Sequence, residues 1–139
     1  MNTPSVFPYV QMIPSLGSAG WMPMLTVALD LNGTTLSSTA LIDSGSTINI
    51  IPYQLGLQLG GDWNQFRGVL PMGGLFANHP AKPLFLEATI GSFAPVQLTF
   101  AWTQAPAARL LLGQLNFFME FDVCFPRSQN TFQIQPRTP

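Results

Sequence analysis

At 139 residues the chain is long enough for one domain with a real core. Its residues are 47% hydrophobic but only 8% charged, against about 25% in an average soluble domain, so part of the surface is expected to be covered by another subunit. The net charge is −1 and the five basic residues (Arg67, Lys82, Arg109, Arg127 and Arg137) are scattered, which excludes a basic patch for nucleic acid or anionic lipid.

Residues 1–23 carry no charge and are interrupted by Pro4, Pro8, Pro14 and Pro23, so they read as a partly extended N-terminal arm ahead of a single domain over 24–139. The arm lacks the basic start and unbroken apolar core of a signal peptide. No apolar run of about 18 residues occurs that would give stable membrane insertion. The first strand is "MLTVALDL", residues 24–31, with Leu25, Val27, Leu29 and Leu31 on one face and Thr26, Ala28 and Asp30 on the other. Asn32-Gly33 then calls for a type I′ hairpin. The β-branched return strand "TTLSSTALI" runs directly into Asp43. A carboxylate between the apolar runs Ala40–Ile42 and Ile48–Ile51 is costly unless it is hydrogen-bonded, paired or protonated. It stands at a strand end entering the turn Ser44-Gly45-Ser46-Thr47, a common place for chemistry on a β scaffold.

"PYQLGLQLG" after Pro52 offers a short helix with Leu55 and Leu59 at i,i+4, weakened by Gly56. The segment 60–83 is long for a loop in a compact β domain, and its centre Met72-Gly73-Gly74-Leu75-Phe76 suggests a mobile hairpin. A second strand pair follows. Leu84, Leu86, Ala88 and Ile90 share one face, "GSFAP" turns, and Val96, Leu98, Phe100 and Trp102 share a face of the return strand, opposite Gln97, Thr99 and Ala101. After a turn at 103–109, "QLNFFMEF" places Leu115, Phe118 and Met119 at helical spacing. A last pair runs through Phe121, Val123 and Phe125, a Pro126–Asn130 turn and "TFQIQ". The fold class is all-β with one or two short helices.

The chemistry narrows quickly. His79 is the lone histidine and has no nucleophile elbow beside it, so it reads as a loop residue rather than a triad member. Zinc needs three or four ligands at set spacings, which one His, one Cys and scattered acids do not supply; no cofactor or metal is expected. The lone Cys124 excludes an intrachain disulfide, reads as a strand residue rather than a nucleophile, and with the missing signal peptide favours a cytoplasmic location. Asp30, Glu87, Glu120 and Asp122 fall on polar faces and Asp62 in a loop. Asp43 alone sits between apolar runs. On its own, Asp-Ser-Gly also fits an ordinary strand-ending Asx-turn.

Three features in order raise the specificity. Two apolar residues, then Asp43-Ser44-Gly45-Ser46 at the end of the second strand, resemble the active-site turn of retropepsin-like aspartic proteases. About 70 residues on, Leu111-Leu112-Gly113 before a short helix resembles that family's second motif, and "VLPMGGLF" falls where the family has its flap. The resemblance runs from Leu25 to Ile134 and is closest to single-lobe bacterial or cellular members. It implies a small closed β-barrel lobe with a flap hairpin and one short C-terminal helix, working as a homodimer on a peptide or protein substrate. One Asp43 from each subunit would meet at the two-fold axis, and the two carboxylates would share a proton and titrate as a unit. Ser44 would bond across to the partner loop, Gly45 would allow the tight turn, and Ser46 would bond the outer Asp43 oxygen. Met72, Gly73, Gly74, Leu75 and Phe76 would close over an extended peptide held by strand-like backbone bonds. Two departures stand out. Retroviral members usually carry arginine after the second-motif glycine, where this chain has Gln114. The segment "NFFMEFDVCF" differs from the viral pattern, so chain ends need not pair in the viral way. The alternatives are a catalytically silent domain of this fold used for dimerisation or peptide binding, and an unrelated β-sandwich ligand-binding module.

Overall fold

The computed structural model describes residues 3–65, 68–70 and 78–138. Its elements are β1 (Ser5–Pro8), β2 (Val10–Gln11), β3 (Trp21–Met22), β4 (Met24–Leu31), β5 (Thr34–Ile42), β6 (Asn49–Pro52) and α1 (Tyr53–Gln58). They continue as β7 (Ala81–Thr89), β8 (Val96–Thr103), β9 (Leu111–Leu112), α2 (Phe117–Glu120), β10 (Phe121–Cys124) and β11 (Thr131–Pro136).

β4 and β5 pair antiparallel from Met24↔Leu41 to Leu31↔Thr34. Asn32 at φ 51° and Gly33 at φ 94° both take the positive φ that a type I′ turn requires. Asp30 ties the turn down, its Oδ1 accepting from the Gly33 N–H at 3.1 Å and its Oδ2 from the Thr35 hydroxyl. Leu25, Val27 and Leu29 are buried while Thr26 is exposed, the alternation of a strand with one face on a core. The second hairpin behaves alike. β7 and β8 pair from Ala81↔Thr103 to Ala88↔Val96, burying Leu84, Leu86, Ala88, Leu98, Phe100 and Trp102. β4 also pairs with β7, β6 runs parallel to β8, and β9 lies between β5 and β6. The strands close into a barrel in the order β4-β5-β9-β6-β8-β7. Closure removes the sheet edges and rules out the two-sheet sandwich considered above.

Three local readings need correction or refinement. Ala101 is buried, although alternation places it on the polar face of β8, because it packs with Ile50 and Ala81 in a second apolar cluster. The short helix read from Leu115, Phe118 and Met119 is present, but α2 is a single turn whose buried residue is Phe117, stacked on Phe121 at 5.2 Å, while Leu115 and Met119 are 46% and 56% exposed. One turn is too short for a 3.6-residue period to select a face. Gly56, which weakens α1 as a helix, is there for packing. A Cβ would lie 2.3 Å from Nε1 of Trp102, whose indole also donates to the Tyr53 carbonyl at 3.1 Å.

The chain ends meet in a separate sheet ordered β1-β11-β10. β1 pairs antiparallel with β11 of the same chain, Ser5↔Ile134 to Pro8↔Thr131. Phe7 stacks on Phe132 at 5.4 Å, Tyr9 is buried in the main core, and the Arg127 guanidinium lies 5.0 Å from the Tyr9 ring centre. Cation–aromatic packing of this kind adds to the apolar contact.

Candidate active site

β5 delivers Asp43 half-buried, directly after the buried Ile42. Its main chain is held from the neighbouring strand, the Asp43 N–H donating to the Leu112 carbonyl at 2.9 Å. The turn then closes on itself. The Ser46 N–H donates to the Asp43 carbonyl at 3.1 Å, and the Gly45 N–H donates to Asp43 Oδ1 at 2.9 Å. A Cβ at Gly45 would stand 3.2 Å from that same carboxylate oxygen, tighter than most real contacts, so a glycine keeps the N–H close to the carboxylate.

The second motif is threaded through this turn. Leu111 and Leu112 of β9 pair in parallel with Leu41 and Ile42, and Leu111 also pairs with Ile50 of β6. The chain therefore passes between the strand that enters the Asp43 turn and the strand that leaves it. Gly113 is fully enclosed at the crossing, and a Cβ there would lie 2.7 Å from the carbonyl oxygens of both Ser46 and Ile48. The structure thus brings Asp43, Ser44, Gly45 and Ser46 together with Leu111, Leu112 and Gly113. Ser46 departs from expectation in one respect: its hydroxyl donates to the Ile48 carbonyl at 2.7 Å, so its proton serves the turn and not Asp43. The expected flap residues Met72, Gly73, Gly74, Leu75 and Phe76 lie outside the described residues. Just before that segment, Leu70 forms an antiparallel bridge to Ala81, with hydrogen bonds of 2.6 and 3.2 Å.

Sequence reasoning missed a set of amides beneath the turn. Asn49 is completely buried, and its side chain is fully used. Oδ1 accepts from the Gly113 N–H at 2.8 Å, and Nδ2 donates to the Thr99 carbonyl at 3.0 Å and to Asn116 Oδ1 at 3.1 Å. Asn116 Oδ1 accepts also from the Thr99 N–H, and its Nδ2 donates to the Gln97 carbonyl, both at 3.0 Å. A signal was present in the sequence, since Asn49 interrupts the apolar run Ile48–Ile51 as Asp43 follows Ala40–Ile42. Gln114 was read only as a departure from the viral pattern. Its Nε2 donates to the Ser44 carbonyl at 2.8 Å. The apolar cluster of Ile50, Ala81 and Ala101, with Ile48, Leu70, Ala108 and Leu111 packed against it, joins the strands flanking the turn. His79 lies elsewhere, its carbonyl accepting from the Thr103 hydroxyl at 3.3 Å, and Cys124 is exposed on β10. Among the described residues no group of three His, Cys, Asp or Glu is arranged to hold a metal ion.

No family model matches the chain, and no curated protein matches it. Among solved structures it is similar to the crystal structure of a retropepsin-like aspartic protease from Rickettsia conorii, with a TM-score of 0.63 and 12% sequence identity. The match covers 94% of this chain and 98% of that one. At that identity the likeness is one of fold: an all-β lobe with a closed six-stranded barrel and few helices, as in a retropepsin-like protease.

Proposed function

We propose that this protein is an aspartic endopeptidase whose catalytic pair is built from two copies of the chain, each supplying Asp43. The observation that carries the reading is the Asp43 turn itself. A half-buried carboxylate stands at a strand end in a retropepsin-like lobe, its backbone bonded to the second motif, with a peptide N–H 2.9 Å from one oxygen. The chain has no second Asp-Ser/Thr-Gly, so hydrolysis by a pair of aspartates calls for a symmetric homodimer.

In that pair one proton is shared. One Asp43 takes a proton from a water held between the carboxylates while the water oxygen attacks the scissile carbonyl carbon. The other Asp43 gives its proton to the carbonyl oxygen, forming a neutral gem-diol. Collapse transfers a proton to the amide nitrogen, breaks the C–N bond and releases a carboxylic acid and an amine, with no acyl-enzyme. Ser44, exposed beside the carboxylate, would bond across the two-fold to the partner loop. Residues 72–76 would cover an extended peptide, pairing with it as a strand, and the apolar Met72, Leu75 and Phe76 would favour hydrophobic substrate side chains.

Asp43→Asn is the test. The amide can neither accept the proton from water nor share one, so kcat on a peptide library should fall by about 10²–10⁴-fold or more, with an unchanged circular dichroism spectrum and thermal midpoint. A variant purified free of other proteases that keeps wild-type turnover would remove the assignment. A wild type that dimerises and binds peptides but never cleaves them would instead mark a silent peptide-binding lobe.

A further inference from the structure

Ser44 and Gly45 share one planar peptide group. Its N–H donates to Asp43 Oδ1 at 2.9 Å, and its C=O accepts from Gln114 Nε2 at 2.8 Å. The same peptide is thus held at both ends, by the carboxylate on one side and by a residue 70 positions away on the other. Two further donors from the second motif reach the turn. The Gln114 N–H donates to the Ser46 carbonyl at 2.9 Å and the Leu115 N–H to the Thr47 carbonyl at 3.1 Å.

The segment that supplies these donors is itself fixed from behind. Gly113 N–H is held by Asn49, and Asn49 and Asn116 are bonded to the Thr99 and Gln97 backbone of β8. Gln114 therefore works from a braced position, although its own side chain is exposed. A donor on the carbonyl of a peptide polarises that group and strengthens its N–H as a donor at the other end. A bond to a carboxylate is among the stronger hydrogen bonds, so the effect falls where it matters for Asp43.

We infer that Gln114 is a positioning residue of the active site: it orients and polarises the Ser44–Gly45 peptide, whose N–H fixes the Asp43 carboxylate in the plane needed for the dyad. This rests on the reading of Asp43 as the catalytic aspartate. In this role Gln114 acts through the Ser44–Gly45 peptide and not on the reacting atoms. Its removal slows turnover without weakening substrate binding.

Gln114→Met keeps the length of the side chain and removes its donors at an exposed site. Two quantities are read on the dimeric protein: kcat and KM on a peptide substrate, and the exchange rate of the Gly45 amide by NMR. The inference expects kcat to fall roughly three- to tenfold, the worth of one hydrogen bond, with KM and the thermal midpoint unchanged and Gly45 exchanging faster by a similar factor. Wild-type kcat overturns it, as does a fall in kcat with Gly45 exchange unaltered, since the loss would then arise elsewhere. A wild type with no hydrolysis overturns the protease reading instead, and Gly45 exchange then decides alone whether Gln114 sets this peptide.

Discussion

Asp43 and Asp30 are two aspartates at the ends of adjacent strands, and both accept a backbone N–H in a turn. Asp30 is half-buried, and its carboxyl is held below the usual value of 3.8 by the Thr35 hydroxyl and then by the Gly33 N–H, against a smaller opposing effect of burial. Both bonds favour the ionised form. A lowered folded-state value means that Asp30 contributes its stability in full above about pH 4, the unfolded value, and loses it as pH falls through the folded value. The stability gap between wild type and Asp30→Asn should therefore be present at pH 7 and shrink below pH 4; a gap that widens in acid would contradict this bonding. Asp43 was legible for a different reason. It is an acid between two apolar runs, in a turn that its own carboxylate closes through the Gly45 N–H. Asn49 carried the same kind of signal, whereas Gln114 carried none, because its partner Ser44 is 70 residues away and no local pattern encodes such a bond.

Elements with a clear period were legible and those without were not. β4, β5, β7 and β8 announced themselves by alternation and by Asn32-Gly33, and the pairing follows that reading. β9 has only two residues, too few for a period, yet it completes the barrel between β5 and β6. Its position depends on the parallel pairing of Leu41 with Leu111, a long-range contact that propensity does not specify. Which residue of α2 is buried was not legible for the same want of length. Gly113 is where the crossing can be tested. The three nearest atoms that a Cβ would strike are all backbone, the Ser46 carbonyl oxygen and the Ile48 carbonyl group, and none can swing away as a side chain would. Gly113→Ala should cost about 1–3 kcal/mol of stability, the usual range for overpacking, and on the proposed mechanism should lower kcat with it, because the displaced backbone is the turn that follows the aspartate. Denaturant unfolding with an unchanged midpoint would show that the two segments do not cross so closely.

At the scale of the whole molecule, the all-β class follows from the alternation of the strands and the closed barrel from the family resemblance, while neither gives the arrangement of the chain ends. β1 is sealed onto β11 of its own chain, so the arm that reads as partly extended is also packed, through Phe7 and Tyr9. Residues 1–29 hold no charge, and Val6, Val10, Leu16 and Trp21 are exposed there. This is consistent with the proposal that a second copy covers part of the surface. On the proposed mechanism two chains share one active site, and this is open to a mixing experiment. The sharing is tested most directly by refolding wild type together with a ninefold excess of Asp43→Asn and measuring hydrolysis per wild-type chain. Random pairing leaves about one wild-type chain in ten with a wild-type partner, so activity per wild-type chain should fall about tenfold as hybrid pairs form. Activity per wild-type chain that stays constant, however much mutant is present, would contradict a site built from two Asp43 residues.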